Sequence, residues 1–182
     1  MTGCSIYNNT GYYPGGLYVA SASVAMTDCS IYENTATIRG GGGFRVFGSN
    51  LTLTRCSIYK NTALDGSGGG IDIKKATVIM TECSIYQNTA DYNGGGLNII
   101  DGDYGDYGAE SSLTMDGCQV YQNTCGRRAG GIYILHGGIG RTVMANTLIT
   151  GNHANNEVSS SLVLPHSPRE ELDAAPLKLP LG

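Results

Sequence analysis

The chain has no tryptophan and only two phenylalanines, and charged residues make up 14% of its 182 positions. Soluble domains usually carry about 25% charged residues. A chain so poor in large aromatic and charged side chains does not build one thick core, although it can fold if a small buried unit repeats. Glycine is abundant instead, with 28 residues, about twice the usual share.

Other absences exclude whole classes of function. The net charge is −4 and no basic run occurs, which argues against a nucleic-acid partner. No apolar run approaches the roughly 18 residues of a membrane span. No two cysteines have the CxxC spacing of zinc or thioredoxin-type sites. No segment has the 3.6-residue apolar period of a helix, which excludes the helical repeat families.

A seven-residue pattern, Cys-Ser-Ile-Tyr-x-Asn-Thr, recurs along the chain. Four copies are intact, a fifth reads CQVYQNT, and a sixth, TLITGNH, is degraded. The copies occupy Cys4–Thr10, Cys29–Thr35, Cys56–Thr62, Cys83–Thr89, Cys118–Thr124 and Thr147–His153. Successive copies begin 25, 27, 27, 35 and 29 residues apart, a period that indicates a solenoid.

The full repeat predicts the type of solenoid. Each unit reads [LV]-x-[ML]-T-x-C-S-I-Y-x-N-T-A, a variable turn, G-G-G-[ILF]-x-[IV] and a second variable turn. Apolar residues alternate with polar ones, which indicates three short strands per unit. We therefore predict an all-β fold, a parallel β-helix (solenoid) of about six coils with three short strands each, over residues 1–154. Equivalent residues then stack in columns about 4.8 Å apart.

Two columns are predicted to be structural corners. The asparagines are expected to take the left-handed backbone that one corner needs and to hydrogen-bond from coil to coil. The glycine runs mark the other corner, where a positive φ or a close approach excludes a Cβ. The asparagine column comprises Asn9, Asn34, Asn61, Asn88, Asn123 and Asn152.

Five of the six cysteines also fall in one column. In-register neighbours are within disulfide reach by Cα distance, but parallel Cβ vectors suit the bridge poorly. We predict buried free thiols that act as small hydrophobic side chains, and Cys125 then needs no partner. The column comprises Cys4, Cys29, Cys56, Cys83 and Cys118.

The heptad also predicts a column of tyrosines on the outside of the solenoid. One interpretation is β-propensity with same-face stacking. The other is a binding surface, either an aromatic platform for the sugar rings of glycans or a contact for partner proteins, because an exposed apolar strip is usually covered. The candidate binding residues are Tyr7, Tyr32, Tyr59, Tyr86 and Tyr121.

The longest insertion, DGDYGDYGAESS, lies between the fourth and fifth copies. Its acids Asp101, Asp103 and Asp106 partly match a calcium-binding loop, although the glycine and terminal glutamate spacing of an EF-hand fails. The segment is therefore either a solvated loop or a Ca²⁺ site at residues 101–110. No other cofactor is predicted.

Both ends of the chain differ from its middle. Met1 aligns with Met26 and Met80 of later units, so we expect the chain to start in mid-coil, as a slice of a longer array. Additional coils or other protein chains are then expected at the open N-terminal end. Residues 155–182 hold four of the five prolines. They predict a C-terminal cap or linker, in which Val158–Leu164 adds a last strand.

A family resemblance rests on the two halves of the unit. Segments such as Ile58-Tyr59-Lys60-Asn61 are followed by segments such as Gly69-Gly70-Ile71. These resemble the repeats of chlamydial polymorphic outer-membrane proteins and related right-handed β-helix surface proteins, with Ile where that family commonly has Phe and Gly where it commonly has Ala. The resemblance covers about residues 1–154. It implies a right-handed, single-stranded β-helix of the pectin-lyase-like type, located outside the cell or on its surface.

Three functions are compatible with these features. The first is a non-catalytic extracellular scaffold or adhesion module. The second is a polysaccharide lyase, hydrolase or epimerase, which needs grouped carboxylates or a basic residue beside a cation. Arg45, Asp72 and Asn98 are outward but isolated, so no catalytic residue is assigned. The third is ice binding through stacked threonines, for which Thr27, Thr54 and Thr81 align and Asp116 interrupts the column.

Overall fold

The computed structural model describes residues 1–101, 110–135 and 141–155, together with the backbone of residues 162–163. Every regular element in these ranges is a β-strand, and none is a helix. The described residues pass through four parallel sheets once per coil, which gives five complete coils and a partial sixth. The predicted all-β parallel β-helix is confirmed.

The heptad forms two of the four sheets. Its Ser-Ile-Tyr segment gives the tyrosine sheet, with strands β1 (Ser5–Tyr7), β5 (Ser30–Tyr32), β9 (Ser57–Tyr59), β13 (Ser84–Tyr86), β17 (Gln119–Tyr121) and β21 (Leu148–Thr150). Its Thr-Ala segment gives the corner sheet, with strands β2 (Thr10–Gly11), β6 (Thr35–Ala36), β10 (Thr62–Ala63), β14 (Thr89–Ala90), β18 (Thr124–Cys125) and β22 (His153–Ala154). The two-residue corner strands add a fourth strand per coil to the three that the sequence predicts.

The rest of each unit forms the other two sheets. The strands after the glycine runs form the covered sheet, with β3 (Leu17–Ala20), β7 (Phe44–Phe47), β11 (Ile71–Lys74), β15 (Leu97–Ile100), β19 (Ile132–Leu135) and β23 (Leu162–Val163). The strands before the next cysteine form the threonine sheet, with β4 (Ser23–Thr27), β8 (Asn50–Thr54), β12 (Thr77–Thr81), β16 (Ser112–Asp116) and β20 (Thr142–Ala145).

The register keeps identical heptad positions together. Ile31 pairs with Ile58, and Ile58 pairs with Ile85 on its other side. The longest insertion leaves from the end of β15 and returns at β16, where Thr77 still pairs with Ser112. Variable lengths are therefore absorbed between strands, and the columns continue through all coils.

The core consists of the inward residues of three sheets. Ile58, Leu53, Val78 and Ile73 are fully buried, while the terminal Ile6 and Ile149 are partly buried. Burying a side chain of this size contributes about 1.5–3 kcal/mol. Each coil alone buries too little, so the solenoid is stabilised by stacking coil on coil.

The left-handed corner lies one residue earlier than the sequence predicts. The residue before each asparagine has the positive φ, as in Glu33 (φ 54°), Lys60 (φ 53°) and Gln87 (φ 54°). The expectation that the asparagine itself is left-handed is wrong. The left-handed residue holds its own side chain at the surface, and the turn it makes directs the following asparagine inward.

The glycine corner requires glycine because backbones approach closely. A Cβ on Gly69 would lie 2.4 Å from the carbonyl oxygen of Thr89, and one on Gly70 would lie 2.6 Å from that of Gly96. Such distances leave no room for a methyl group, which confirms the prediction of close approach.

At the C-terminal end, β23 pairs in parallel with β19, with Ile132 opposite Leu162. This strand lies inside the predicted segment Val158–Leu164. The interpretation of residues 155–182 as a cap or linker stays a prediction, because most of that segment lies outside the described residues.

Candidate functional site

Asparagines of the heptad form a continuous hydrogen-bonded ladder inside one corner. The amide oxygen of Asn61 accepts from the backbone N–H of Asn34 at 3.1 Å and from its Nδ2 at 3.0 Å. Nδ2 of Asn61 in turn donates to Oδ1 of Asn88 at 3.0 Å and to the carbonyl oxygen of Ile31 at 2.9 Å. The same pattern recurs at Asn34, Asn88 and Asn123, which are fully buried. The predicted ladder is present, and its interior asparagines have no surface left for a ligand, whereas Asn9 at the N-terminal end is exposed.

The cysteine column lies on the inner wall. All six cysteines are free, and five are buried while Cys4, in the first coil, is partly buried. Thiols of this column bond to nearby backbone carbonyls, as when Sγ of Cys29 donates to the Thr27 oxygen at 3.2 Å and Sγ of Cys83 to the Thr81 oxygen at 3.3 Å. The thiols of this column are therefore engaged within the inner wall, which supports its interpretation as structural.

The tyrosines form a stacked column on the outside of the tyrosine sheet. Successive ring centroids are 4.9, 4.9, 4.9 and 5.0 Å apart, and the ring planes differ by 1° to 4°. Tyr7 is 50% exposed, and the later four are partly buried by their neighbours. We call this column, together with the residue two positions before each tyrosine, the ladder face; its residues are Ser5, Tyr7, Ser30, Tyr32, Ser57, Tyr59, Ser84, Tyr86, Gln119 and Tyr121.

The stacking determines what the ladder face offers to a partner. A gap of 4.9 Å between parallel ring centroids is too narrow for a sugar ring or a third aromatic ring, so the exposed part consists of ring edges and hydroxyls. Burial, with the neighbouring tyrosines, raises the pKa of Tyr32 and Tyr86 above the ordinary value. These phenols stay protonated at neutral pH, and each one can both donate and accept a hydrogen bond.

Charged residues line both edges of the ladder face at the left-handed corners. On one edge, Arg55 makes two bonds to Asp28, at 2.7 Å from Nε and 2.9 Å from Nη2. On the other edge, Nζ of Lys60 lies 3.7 Å from Oε1 of Glu33. All four side chains remain between 44% and 53% exposed, so the pairs are accessible from outside.

A second polar column is buried, which corrects the expectation that its members are isolated. Nη1 of Arg45 lies 2.7 Å from Oδ2 of Asp72, whose Oδ1 accepts from Nδ2 of Asn98 at 2.7 Å. The turn before β7 folds back over the strand, and Nη1 of Arg45 also donates to the Arg39 carbonyl at 2.8 Å. The guanidinium carbon lies 4.2 Å from the ring centroid of Tyr13. Arg45, Asp72 and Asn98 are thus linked to one another by an ion pair and a hydrogen bond, and the turn before β7 covers them.

The environment of Asp72 suits a structural carboxylate. It is 4% exposed, and burial raises the pKa of its carboxyl above the ordinary value, although Arg45, Asn98 and Lys74 act to lower it. A polymer cannot reach a group at this depth without displacing the turn. The sequence contained one signal for this network, because Arg45 and Asp72 stand one repeat apart in the same column.

The insertion proposed to bind Ca²⁺ is closed at its base by one of its own acids. Oδ1 of the buried Asp101 accepts from the backbone N–H of Ser111 at 2.8 Å, and Oγ of Ser111 donates to the Ile100 carbonyl at 2.7 Å. Asp103 and Asp106 lie outside the described residues, so the calcium site stays a prediction. Among residues 1–101, 110–135 and 141–155, no group of three or more His, Cys, Asp or Glu side chains is placed to hold a metal ion.

The threonine columns proposed for ice binding are in register on the threonine sheet. Thr27 pairs with Thr54 and Thr54 with Thr81, and Asp116 follows Thr81. The middle column is mixed, since the exposed Ile79 stands between Thr52 and Thr114. The face is largely uncharged, but its side chains do not repeat as regularly as those of the ladder face.

These columns define a parallel β-solenoid whose repeat sets both its core and its surface. The chain belongs to the right-handed β-helix family, because the family model described as "Right handed beta helix region" matches residues 1–164. Comparisons with curated proteins and with solved structures give no match. In the part of the chain that the structure describes, no helix is long and apolar enough to cross a membrane.

Proposed function

We propose that the protein is a non-catalytic structural and adhesion scaffold, located outside the cell or on its surface, that binds a partner across the ladder face. The observation that carries this proposal is the unbroken column of five tyrosines with centroids 4.9–5.0 Å apart. The column lies on a six-stranded parallel sheet and presents identical ring edges and hydroxyls at a regular spacing. Such a surface suits a repeated contact better than the recognition of one small molecule.

The geometry favours a protein partner over a glycan. A sugar that stacks on an aromatic residue needs access to a ring face, and the neighbouring rings of the column occupy the space on both sides of Tyr32, Tyr59 and Tyr86. Ring edges and phenol hydroxyls, by contrast, are common in protein–protein interfaces, where tyrosine is enriched. Glycan binding is an outcome that the experiment distinguishes.

Beads coated with the chain and applied to cultured cell layers test the proposal. We expect wild-type beads to adhere and beads with Tyr59→Ser and Tyr86→Ser to lose most adhesion, while Thr52→Ser and Thr114→Ser on the threonine sheet, the matched control, change little. Adhesion that a trypsin treatment of the cells removes, and a glycosidase treatment does not, identifies a protein partner.

Two results contradict the proposal. Equal adhesion of the tyrosine and threonine variants excludes the ladder face as the binding surface. Cleavage of pectin or alginate by the wild-type chain, abolished by Asp72→Asn, identifies an enzyme instead.

A further inference from the structure

The charges along the ladder face are arranged in bands, one sign per coil. The second coil carries Asp28 and Glu33, the third carries Arg55 and Lys60, and the fourth carries Glu82. The corresponding corners of the first and fifth coils are uncharged; they are occupied by Gly3, Asn8, Gly117 and Gln122. The face therefore has a negative band, a positive band and a second negative band along the solenoid axis.

The first two bands extend across the whole width of the face. Asp28 and Arg55 stand at the edge before the cysteine column, and Glu33 and Lys60 stand at the edge after the tyrosines. All of them occupy left-handed corners that direct the side chain outward, and each is about half exposed although it is paired within the chain. The outer halves of these groups are available to a second molecule.

We propose that the ladder face binds the same face of a second copy of this chain, with the two solenoid axes antiparallel. This inference rests on the proposed function and adds the chain itself as a partner of the same face. Rotation by 180° about an axis along the strands places the second coil of one copy opposite the third coil of the other. Asp28 then faces the partner's Arg55, and Glu33 faces the partner's Lys60. The contact occurs twice, as in other two-fold symmetric interfaces.

Two other face-to-face arrangements are less favourable. If the axes are parallel and the coils level, each band faces a band of its own sign, and like charges across an interface are strongly unfavourable. An antiparallel pair centred on the third coil also brings like charges together, because Arg55 and Lys60 of one copy face the same two residues of the other copy. The antiparallel pair centred between the second and third coils satisfies all four charges, and leaves Glu82 opposite the uncharged first coil.

The tyrosines fit this contact. Rings 4.9 Å apart leave no slot for a ring of the second copy, so the two columns meet edge to edge. The phenol hydroxyls can then donate and accept hydrogen bonds across the interface. The contact is about 17 Å wide, the span of six residues, and about 19 Å long, the height of four coils. The area that it buries is therefore smaller than that of stable dimers. The contact is therefore weak singly and strengthened when many copies are displayed together.

A variant with exchanged charges tests the proposal. Asp28→Arg, Arg55→Asp, Glu33→Lys and Lys60→Glu together keep both internal pairs but exchange the signs of the second and third coils. Wild-type chains and exchanged chains are attached to beads of two colours and mixed in low salt. We expect wild-type beads to cluster with wild-type beads, exchanged beads with exchanged beads, and no mixed clusters, because each mixed contact joins like charges.

Half-exchanged variants provide the matching control. Chains with Asp28→Arg and Glu33→Lys have two positive bands, and chains with Arg55→Asp and Lys60→Glu have two negative bands. We expect neither to cluster alone and the two to cluster together, with all clustering reduced by salt. Mixed wild-type and exchanged clusters, or no clusters of wild-type beads, overturn the proposal. If wild-type beads do not cluster but Tyr59→Ser and Tyr86→Ser still reduce adhesion to cells, the self-contact is wrong and the proposed function stands.

Discussion

The asparagine ladder and the tyrosine column arise from the same heptad, two residues apart, yet they differ in every contact. Each asparagine amide inside the ladder is buried and uses its oxygen and nitrogen within the solenoid. Each tyrosine in the middle of its column uses its ring faces, and leaves its edges and hydroxyl toward solvent. Repetition alone therefore does not indicate function. The column whose bonding groups are all used is structural, and the column with unused groups is the candidate for binding.

The largest expected effect is on the buried column. Asn61→Ala removes two bonds donated by Nδ2, to Ile31 and Asn88, and two accepted from Asn34. Buried groups left without partners cost about 1–3 kcal/mol each, so we expect a loss of about 4 kcal/mol in the free energy of unfolding, measured by urea denaturation. The exposed Asn50→Ala is the control, with a change below about 0.5 kcal/mol. Similar losses for both variants contradict the structural role.

The column of Arg45, Asp72 and Asn98 is expected to contribute less to stability than the asparagine ladder and more than the tyrosine column. The variant Arg45→Ala tests this. Removing the guanidinium leaves the buried carboxylate of Asp72 without its ion-pair partner, which costs about 3 kcal/mol. A carboxyl whose pKa is raised by folding stabilises the fold at low pH and loses that contribution as the pH rises through the folded pKa. We therefore expect the Arg45→Ala loss to be largest at neutral pH and to shrink in acid.

Urea midpoints across the pH range measure this dependence. Asp72→Asn in the Arg45→Ala background is expected to remove most of the pH dependence, because the titrating group is gone. A loss that stays constant from acid to neutral pH contradicts the assignment.

The glycine corner also affects the asparagine ladder, because a glycine without a Cβ lets the backbone pass close to the asparagine side chains. A Cβ on Gly70 would lie 2.6 Å from the Gly96 oxygen and 3.2 Å from Nδ2 of Asn88. We expect Gly70→Ala to cost about 2–3 kcal/mol through overpacking. Gly48, with a φ of +55° and open space for 4 Å around the point where a Cβ would lie, is the control, and Gly48→Ala should cost only about 1 kcal/mol of left-handed strain. Equal losses in thermal or urea unfolding would show that packing at this corner is loose.

The smallest effect on stability is expected on the exposed column. Tyr59→Ala removes two ring contacts, each contributing roughly 0.2–1 kcal/mol, so the free energy of unfolding should fall by about 1 kcal/mol. Tyr59→Phe keeps the stacking and should be close to neutral. A loss as large as that of Asn61→Ala would make the tyrosines structural and remove the distinction drawn above.

The columns could be predicted from the sequence because the solenoid holds equivalent residues at one register. Cys29, Ile31, Tyr32 and Asn34 recur at the same spacing, and a residue's environment is set by its position in the unit. The inner thiols, the buried ladder and the outward rings follow from the repeat and its period-two alternation. The short corner strands could not be predicted, because a two-residue segment such as Thr62–Ala63 has no period to detect.

The features that the sequence did not predict depend on contacts between different parts of one coil. The burial of Arg45 and Asp72 requires the turn at Arg39 to fold back over β7, and variable turns carry no repeated pattern. The predicted position of the left-handed residue is wrong for another reason. Asparagine is favoured at such positions, but here its amide is needed inside, so Lys60 and Gln87 take the strained backbone instead.

The ladder of amides also has a consequence for how the length of the rod can change. Asparagines in the middle of the ladder accept from the coil before and donate to the coil after, so an added 27-residue unit, the spacing of the third and fourth copies, satisfies the same bonds as those already present. Each added unit lengthens the rod by about 4.8 Å and adds one tyrosine to its outer face. Each repeat added to the chain therefore increases the length of the solenoid and the number of tyrosines on its outer face in the same step.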